Sequence, residues 1–207
     1  MSYKLKSRWL SSAKYPLKSP YAMRPAGIVV HNTAGDASAT EEAAAMVGNS
    51  SAVSFHVVID EETAVECIPF SRNAFHAGDG AQGYANRNLI GIEIARSAED
   101  SGDRFRRAEE NAALYIAHVC VQYGWTSAQL HQHNWYSATA CPHRTKTHWS
   151  DFLAKVDENI STIKASSKDH PAPSVPQVKL IALGKALDIP AENRNGTVYA
   201  PVRALCE

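Results

Sequence analysis

Apolar residues along this chain fall into two kinds of run. Short runs rich in β-branched residues predict buried strands, and longer stretches with an apolar residue every three or four positions predict helices. Residues 26–31, AGIVVH, form the first short run and lead into the turn chemistry of Asn32 to Asp36. Ser38 then stands as an N-cap with Glu41 three residues on, a capping box for a helix from about Ala39 through Met46 that stops near Gly48 and Asn49. Residues 53–59 and 63–68 predict the two strands of a hairpin around Glu61 and Glu62. Residues 89–94, LIGIEI, predict a further strand in which Glu93 faces opposite to Ile92 and Ile94. From Phe105 to Tyr123 the apolar residues keep largely to one helical face, and Gly124 ends it. A last helix is predicted over 149–161. Between these elements, 1–25 reads as irregular because three X-Pro pairs favour extended or turn backbone. Residues 73–88, rich in Gly, Asn and Asp, and 130–147 read as loops, and long loops in a compact domain are often functional.

Strands alternating with helices predict a layered α/β domain over residues 1–164. Residues 165–176, ASSKDHPAPSVP, have the composition of a linker. Residues 177–207 form a short tail with its own apolar pattern, in which Asn195-Gly196 is a tight turn and residues 197–199 a strand. About 30 residues cannot bury a good core alone, so the tail is expected to dock, to self-associate or to stay partly unfolded. Charge removes some functions: 21 basic residues balance 21 acidic ones, which gives no reason to expect a nucleic-acid partner. The first ten residues lack the apolar core of a signal peptide, and no run approaches the ~18 apolar residues of a membrane helix. The expectation is a soluble, cytoplasmic chain without membrane insertion.

The candidate chemistry lies in nine histidines and four cysteines. Cys67 and Cys120 sit in apolar runs and read as small core residues. Cys141 differs, because it follows His133 by eight residues and precedes a proline. His31 ends the first strand, where α/β folds commonly present active groups. Two imidazoles, a thiolate and a water make a sensible catalytic metal site. From spacing alone the alternative stays open: a core histidine, a buried thiol and a surface histidine that never meet.

Five blocks carry a resemblance. They are Val30-His-Asn-Thr33, Ser54-Phe-His-Val-Val58, residues 68–80 (IPFSRNAFHAGDG), residues 86–94 (NRNLIGIEI) and Cys141-Pro-His-Arg144. In this order, within residues 24–160, they resemble the motif blocks of the amidase-2 family. Those are the zinc N-acetylmuramoyl-L-alanine amidases of phage endolysins and bacterial autolysins, related to peptidoglycan recognition proteins. The resemblance implies a central mixed β-sheet flanked by helices. It also implies a Zn2+ cofactor held by His31, His133 and Cys141, with His131 as a competitor for the second position, and Glu93 as catalytic glutamate.

Thr139 stands where relatives often carry a Lys, and Phe55 where many carry a Tyr. Thr139 is therefore the remaining hydrogen-bond donor at the catalytic position, with the metal as Lewis acid. His76 falls in a block that lines the substrate cleft of relatives and is expected to bind substrate or steady the oxyanion, and His56 to be a satisfied core histidine or to sit behind a metal ligand. Asn73, Asn86, Arg87 and Trp135 are expected as further cleft walls, amides suiting sugar and peptide groups and Arg a stem carboxylate. The implied partner is cell-wall peptidoglycan. The implied setting is a phage or prophage endolysin that waits in the cytoplasm until host lysis. The tail resembles the opening of the copper amine oxidase N-terminal-like module and is expected to anchor to the wall or assemble an oligomer. Competing expectations are a non-catalytic recognition protein of the same fold and a cysteine hydrolase using Cys141. A metallopeptidase of another fold lacks the H-E-x-x-H motif.

Overall fold

The computed structural model describes residues 3–98, 101, 103–169 and four short stretches, 180–182, 185–187, 192–194 and 197–199. The chain divides into two compact units, Met1–Ile163 and Lys164–Glu207. The first unit is built on six strands: β1 (Lys4–Ser7), β2 (Gly27–Asn32), β3 (Val57–Ile59), β4 (Thr63–Glu66), β5 (Leu89–Ile94) and β6 (Leu130–Gln132). They form one sheet in the order β1-β4-β3-β5-β2-β6. The β3–β4 hairpin is antiparallel and every other pair is parallel, so the sheet is mixed.

β2 and β5 lie at its centre, and residues 26–31 and 89–94 read as apolar because central parallel strands are covered on both faces. The helices are α1 (Tyr15–Lys18), α2 (Ala39–Gly48), α3 (Tyr84–Asn88), α4 (Asp103–Tyr123) and α5 (Trp149–Asp169). Ile28, Val30, Ile90, Ile92 and Ile94 share the main core with Phe105, Ala112 and Ile116 of α4 and Phe152, Val156 and Ile160 of α5. The strand period of two sends the intervening residues to the other face. There Val58 and Val65 pack with Ala39, Ala43 and Met46 of α2, and Val29 and Leu89 with Ala77 and Ala85. His31 and Glu93 belong to this second face.

α2 begins as its sequence predicts. The Ser38 hydroxyl accepts from the Glu41 main-chain N–H, and the Glu41 carboxylate accepts from the Ser38 N–H. Its C-terminus is closed from the N-terminal segment: Lys14 Nζ donates to the carbonyls of Val47, Gly48 and Asn49 at 2.7, 2.7 and 3.0 Å. Lys18, fully buried, donates to Asn49 Oδ1 and the Val53 carbonyl.

The expected irregular segment 1–25 therefore contains an edge strand and a short helix. All four residues of β1 are exposed, so no burial alternation marks it. β6 and α3 lie inside the expected loops and are only three and five residues long. β3 is shorter than residues 53–59, because the Ser54 N–H leaves the sheet and donates to the Phe75 carbonyl. α5 runs on to Asp169, so residues 165–169 of the expected linker are helical. Residues 170–176 and the turn at Asn195-Gly196 lie outside the described residues. In the second unit, Leu180–Ala182 pairs antiparallel with Lys185–Leu187, and Glu192–Arg194 with Thr197–Tyr199. Among the described residues no helix is long and apolar enough to cross a membrane.

Candidate active site and metal centre

The site starts from sheet register. β2 and β5 run parallel with His31 opposite Glu93, so both side chains rise side by side from the same face. His31 is buried, and its Nδ1 lies 3.9 Å from Glu93 Oε1. The segment after β6 folds back over this point. A single 3-10 turn, His133–Trp135, brings His133 Nδ1 to 3.0 Å from His31 Nδ1, and Cys141 Sγ stands 3.8 Å from the same nitrogen. Asn32, next to His31, ties that segment down. Its Oδ1 accepts from the N–H groups of Arg144 and Thr145, and its own N–H donates to Cys141 Sγ at 3.3 Å.

A chain of imidazoles sets the protonation of His31. His76 Nε2 lies 3.1 Å from the Leu89 carbonyl, and His76 Nδ1 lies 3.0 Å from His31 Nε2. Burial holds His76 down to about 3 and His31 well below the usual histidine range, so both rings are neutral. A carbonyl only accepts, so His76 carries its hydrogen on Nε2 and accepts at Nδ1. His31 must then donate from Nε2, which leaves a lone pair on Nδ1. On the His133 ring, Nε2 lies 3.0 Å from Ser137 Oγ; with its hydrogen donated to that hydroxyl, its lone pair is on Nδ1 as well. Two lone pairs facing at 3.0 Å repel unless a cation or proton lies between them.

A tetrahedral ion bound at about 2.0–2.1 Å to nitrogen and about 2.3 Å to sulfur separates N from N by about 3.3 Å and N from S by about 3.6 Å. His31, His133 and Cys141 come close to this, with all three ligand atoms within 4.8 Å of one another. The donor set therefore fits a tetrahedral divalent ion with one position open. Burial pushes the Cys141 thiol up to about 12, and burial followed by the charge of Glu42 raises Glu93 to about 8. A dication reverses this preference at both groups by favouring their anions.

His76 requires space. A Cβ on Gly91 of β5 stands 2.5 Å from the His76 ring, so only glycine leaves room for it. Removing the ring tests the chain of imidazoles: His76→Ala is expected to weaken metal affinity by about 10–100-fold, the usual effect of losing an outer partner of a ligating histidine. Competition against a chromogenic chelator measures it, and unchanged affinity rules out an orienting role for His76.

The metal cleft is walled by Thr33, Glu42, Met46, Asn49, Val53 and Phe55. A second lobe shares Val53, His76 and His133 and is more apolar, with Ala52, Phe75, Gly78, Gly80 and Ala81.

The amidase-2 family, described as N-acetylmuramoyl-L-alanine amidase, matches residues 21–144, more than half of the chain. The chain belongs to the N-acetylmuramoyl-L-alanine amidase family. Among its relatives, XlyB of Bacillus subtilis (strain 168) is 37% identical over 163 residues, covering 78% of this chain and 51% of XlyB. CwlA of the same organism is 40% identical over 144 residues, covering 70% of this chain and 53% of CwlA. The chain thus spans about half the length of these two amidases. The structure of PlyL superposes with a TM-score of 0.71 at 37% identity, covering 76% of this chain and 98% of PlyL. The PlyG catalytic domain gives a TM-score of 0.71 at 35% identity, over 76% of this chain and 95% of that domain.

Within this amidase fold the residues singled out from the sequence fall into two groups. His31, Glu93, His133 and Cys141 converge. His131 stands outside the cluster, its Nδ1 2.8 Å from the Tyr136 hydroxyl. His76 lines both lobes, but both its ring nitrogens are engaged by His31 and Leu89. Asn86 is buried and holds the His76 loop, with Oδ1 accepting from the N–H groups of His76 and Ala77. Asn73 is likewise buried and accepts from the Tyr21 N–H. Arg87 lies over the Tyr21 ring at 3.9 Å and donates to Gln82, outside the residues that line the cleft. Trp135 is 55% exposed and meets His131 and Trp149 edge-on. Thr139 Oγ1 accepts from the Cys141 N–H and is not among the cleft-lining residues. His56 accepts from the Gly91 N–H and so donates from Nε2 to the Arg72 carbonyl. Sequence reasoning missed Asn32 as the tether of the ligand loop, although it lies inside a motif block, and Glu42 as a cleft residue.

Proposed function

We propose that the protein hydrolyses the amide bond between N-acetylmuramic acid and L-alanine in peptidoglycan, with zinc held by His31, His133 and Cys141. The observation that carries this reading is Glu93 Oε1 at 3.9 Å from His31 Nδ1, in the same cleft as a His-His-Cys cluster. Zinc suits two imidazoles and a thiolate, and when bound it supplies Lewis acidity that makes water nucleophilic near pH 7.

The chain's own residues do the rest. Glu93 takes a proton from the attacking water as the new C–O bond forms, and hands it to the alanine nitrogen as the C–N bond breaks. The products are a lactyl carboxylate and the ammonium of L-alanine: one proton of the water reaches the nitrogen through Glu93 and the second follows as the new carboxyl group ionises, so atoms and charge balance. His76 and Ser137 keep the hydrogens of His31 and His133 on the far side of the rings. Thr139 is assigned the holding of the Cys141 main chain instead of polarisation of the carbonyl, because its hydroxyl accepts from that N–H. Trp135, half exposed on the ligand loop, is assigned to sugar contact.

Likeness to the endolysin PlyTW of Staphylococcus phage Twort, 28% identical over 130 residues, supports an endolysin that acts once the host membrane is breached. Residues 177–207 are assigned to holding the enzyme on the wall or on a second copy.

Digestion of purified peptidoglycan tests the reaction. Lysis with release of N-terminal L-alanine is expected, stopped by a zinc chelator and restored by added zinc. Lysis that ignores the chelator moves Cys141 to the nucleophile role, and wall binding without lysis favours a recognition protein.

A further inference from the structure

The cleft contains a second carboxylate that amide hydrolysis does not use. Glu41 and Glu42 both lie in the first turn of α2. Glu41 is engaged in the capping box, whereas Glu42 lines the same cleft as His31, Glu93, His133 and Cys141. Among the described residues Glu42 has no hydrogen-bond or ion-pair partner. The basic residues that hold this wall, Lys14 and Lys18, direct their donors to Val47, Gly48, Asn49 and Val53. Among the described residues, no Lys or Arg lines the cleft. A dication, one thiolate and the Glu93 carboxylate sum to zero charge, so Glu42 leaves the lining with one uncompensated negative charge. A half-buried carboxylate without a partner is costly to desolvate and is satisfied by an incoming cation. Ala45, Met46, Val53 and Phe55 beside it offer apolar surface to the methylenes that carry such a cation.

The peptide stem of bacterial cell wall presents one such group, the side-chain ammonium of the diamino acid at its third position. We propose that Glu42 is a specificity-determining residue that accepts this ammonium and draws the stem along α2, with L-alanine left at the metal. This rests on the amidase reading.

Two synthetic muramyl tripeptides test it, one with a free lysine ε-ammonium at the third position and one acetylated there. Cleavage rates and calorimetric binding are measured for wild type and Glu42→Gln. Wild type is expected to prefer the free ammonium by about tenfold in kcat/KM, the effect of roughly 1.4 kcal/mol. Glu42→Gln loses that factor, so its kcat/KM becomes equal on the two peptides, while the removal of a charge beside Glu93 acts on both peptides alike and cancels in their ratio; cleavage of the acetylated peptide shows the variant to be folded. Equal treatment of both peptides by wild type, or equal losses on both in the variant, overturns the proposal. If wild type cleaves neither peptide, the amidase reading fails, and the binding preference alone decides for or against Glu42.

Discussion

Glu93→Gln is expected to lower kcat on peptidoglycan by about 10²–10⁴-fold while the protein keeps its full complement of zinc. That range is what a positioned general acid–base contributes. Gln is close in size to Glu and retains a polar group beside His31, but it cannot take a proton from water or return one to the alanine nitrogen. Its neighbours on β5, Ile92 and Ile94, point into the opposite core, so the substitution leaves packing unchanged. KM is expected to change little, because Glu93 acts on the attacking water. Metal analysis run beside the kinetics separates the roles. Loss of rate together with loss of zinc makes Glu93 a ligand or a support for one, and a rate within threefold of wild type removes it from the mechanism.

The second large effect concerns the metal and appears in stability as well as activity. An ion that binds the folded chain alone stabilises it by about 2.7 kcal/mol at a concentration 100 times its Kd. For a unit of this size that corresponds to roughly 5–10 °C in Tm. Wild type is therefore expected to melt that much higher with zinc than with chelator, and Cys141→Ser to melt at one temperature in both. Serine keeps the shape but lacks a thiolate, and with it the anionic charge that favours zinc. Lysis by the variant falls to background. A zinc-dependent melt that survives in Cys141→Ser places the ion elsewhere.

Sequence pattern revealed the centre of this molecule better than its edges, for physical reasons. β2, β5 and α4 bury long apolar runs, so their periodicity is strong, and LIGIEI placed Glu93 on the face opposite Ile92 and Ile94. β1 buries none of its four residues and β6 has only three, so neither leaves a pattern to read. The convergence of His31, His133 and Cys141 was not legible in spacing, since more than 100 residues separate the first ligand from the others. Motif order supplied it. Polar loop residues are the hardest to read. Asn86 and Arg87 carry groups suited to substrate, but polar side chains serve equally to satisfy buried backbone, as Asn86 does, or to cover an aromatic ring, as Arg87 does on Tyr21. Nothing in the sequence distinguishes those uses.

The His31–Glu93 register has a consequence for how such an enzyme can change. Metal ligand and base stand on neighbouring parallel strands, directly opposite each other, so their separation is fixed by the ladder and not by any loop. Inserting or deleting one residue within β2 or β5 turns the strand over and exchanges the reactive group for a neighbour, Val30 or Asn32 for His31 and Ile92 or Ile94 for Glu93. The distance between nucleophile and proton carrier is thus not adjustable in small steps. Diversification of substrate preference is channelled into the walls that rest on this pair, the α2 face and the loop that carries His133 and Cys141, while the pair itself is inherited whole or lost.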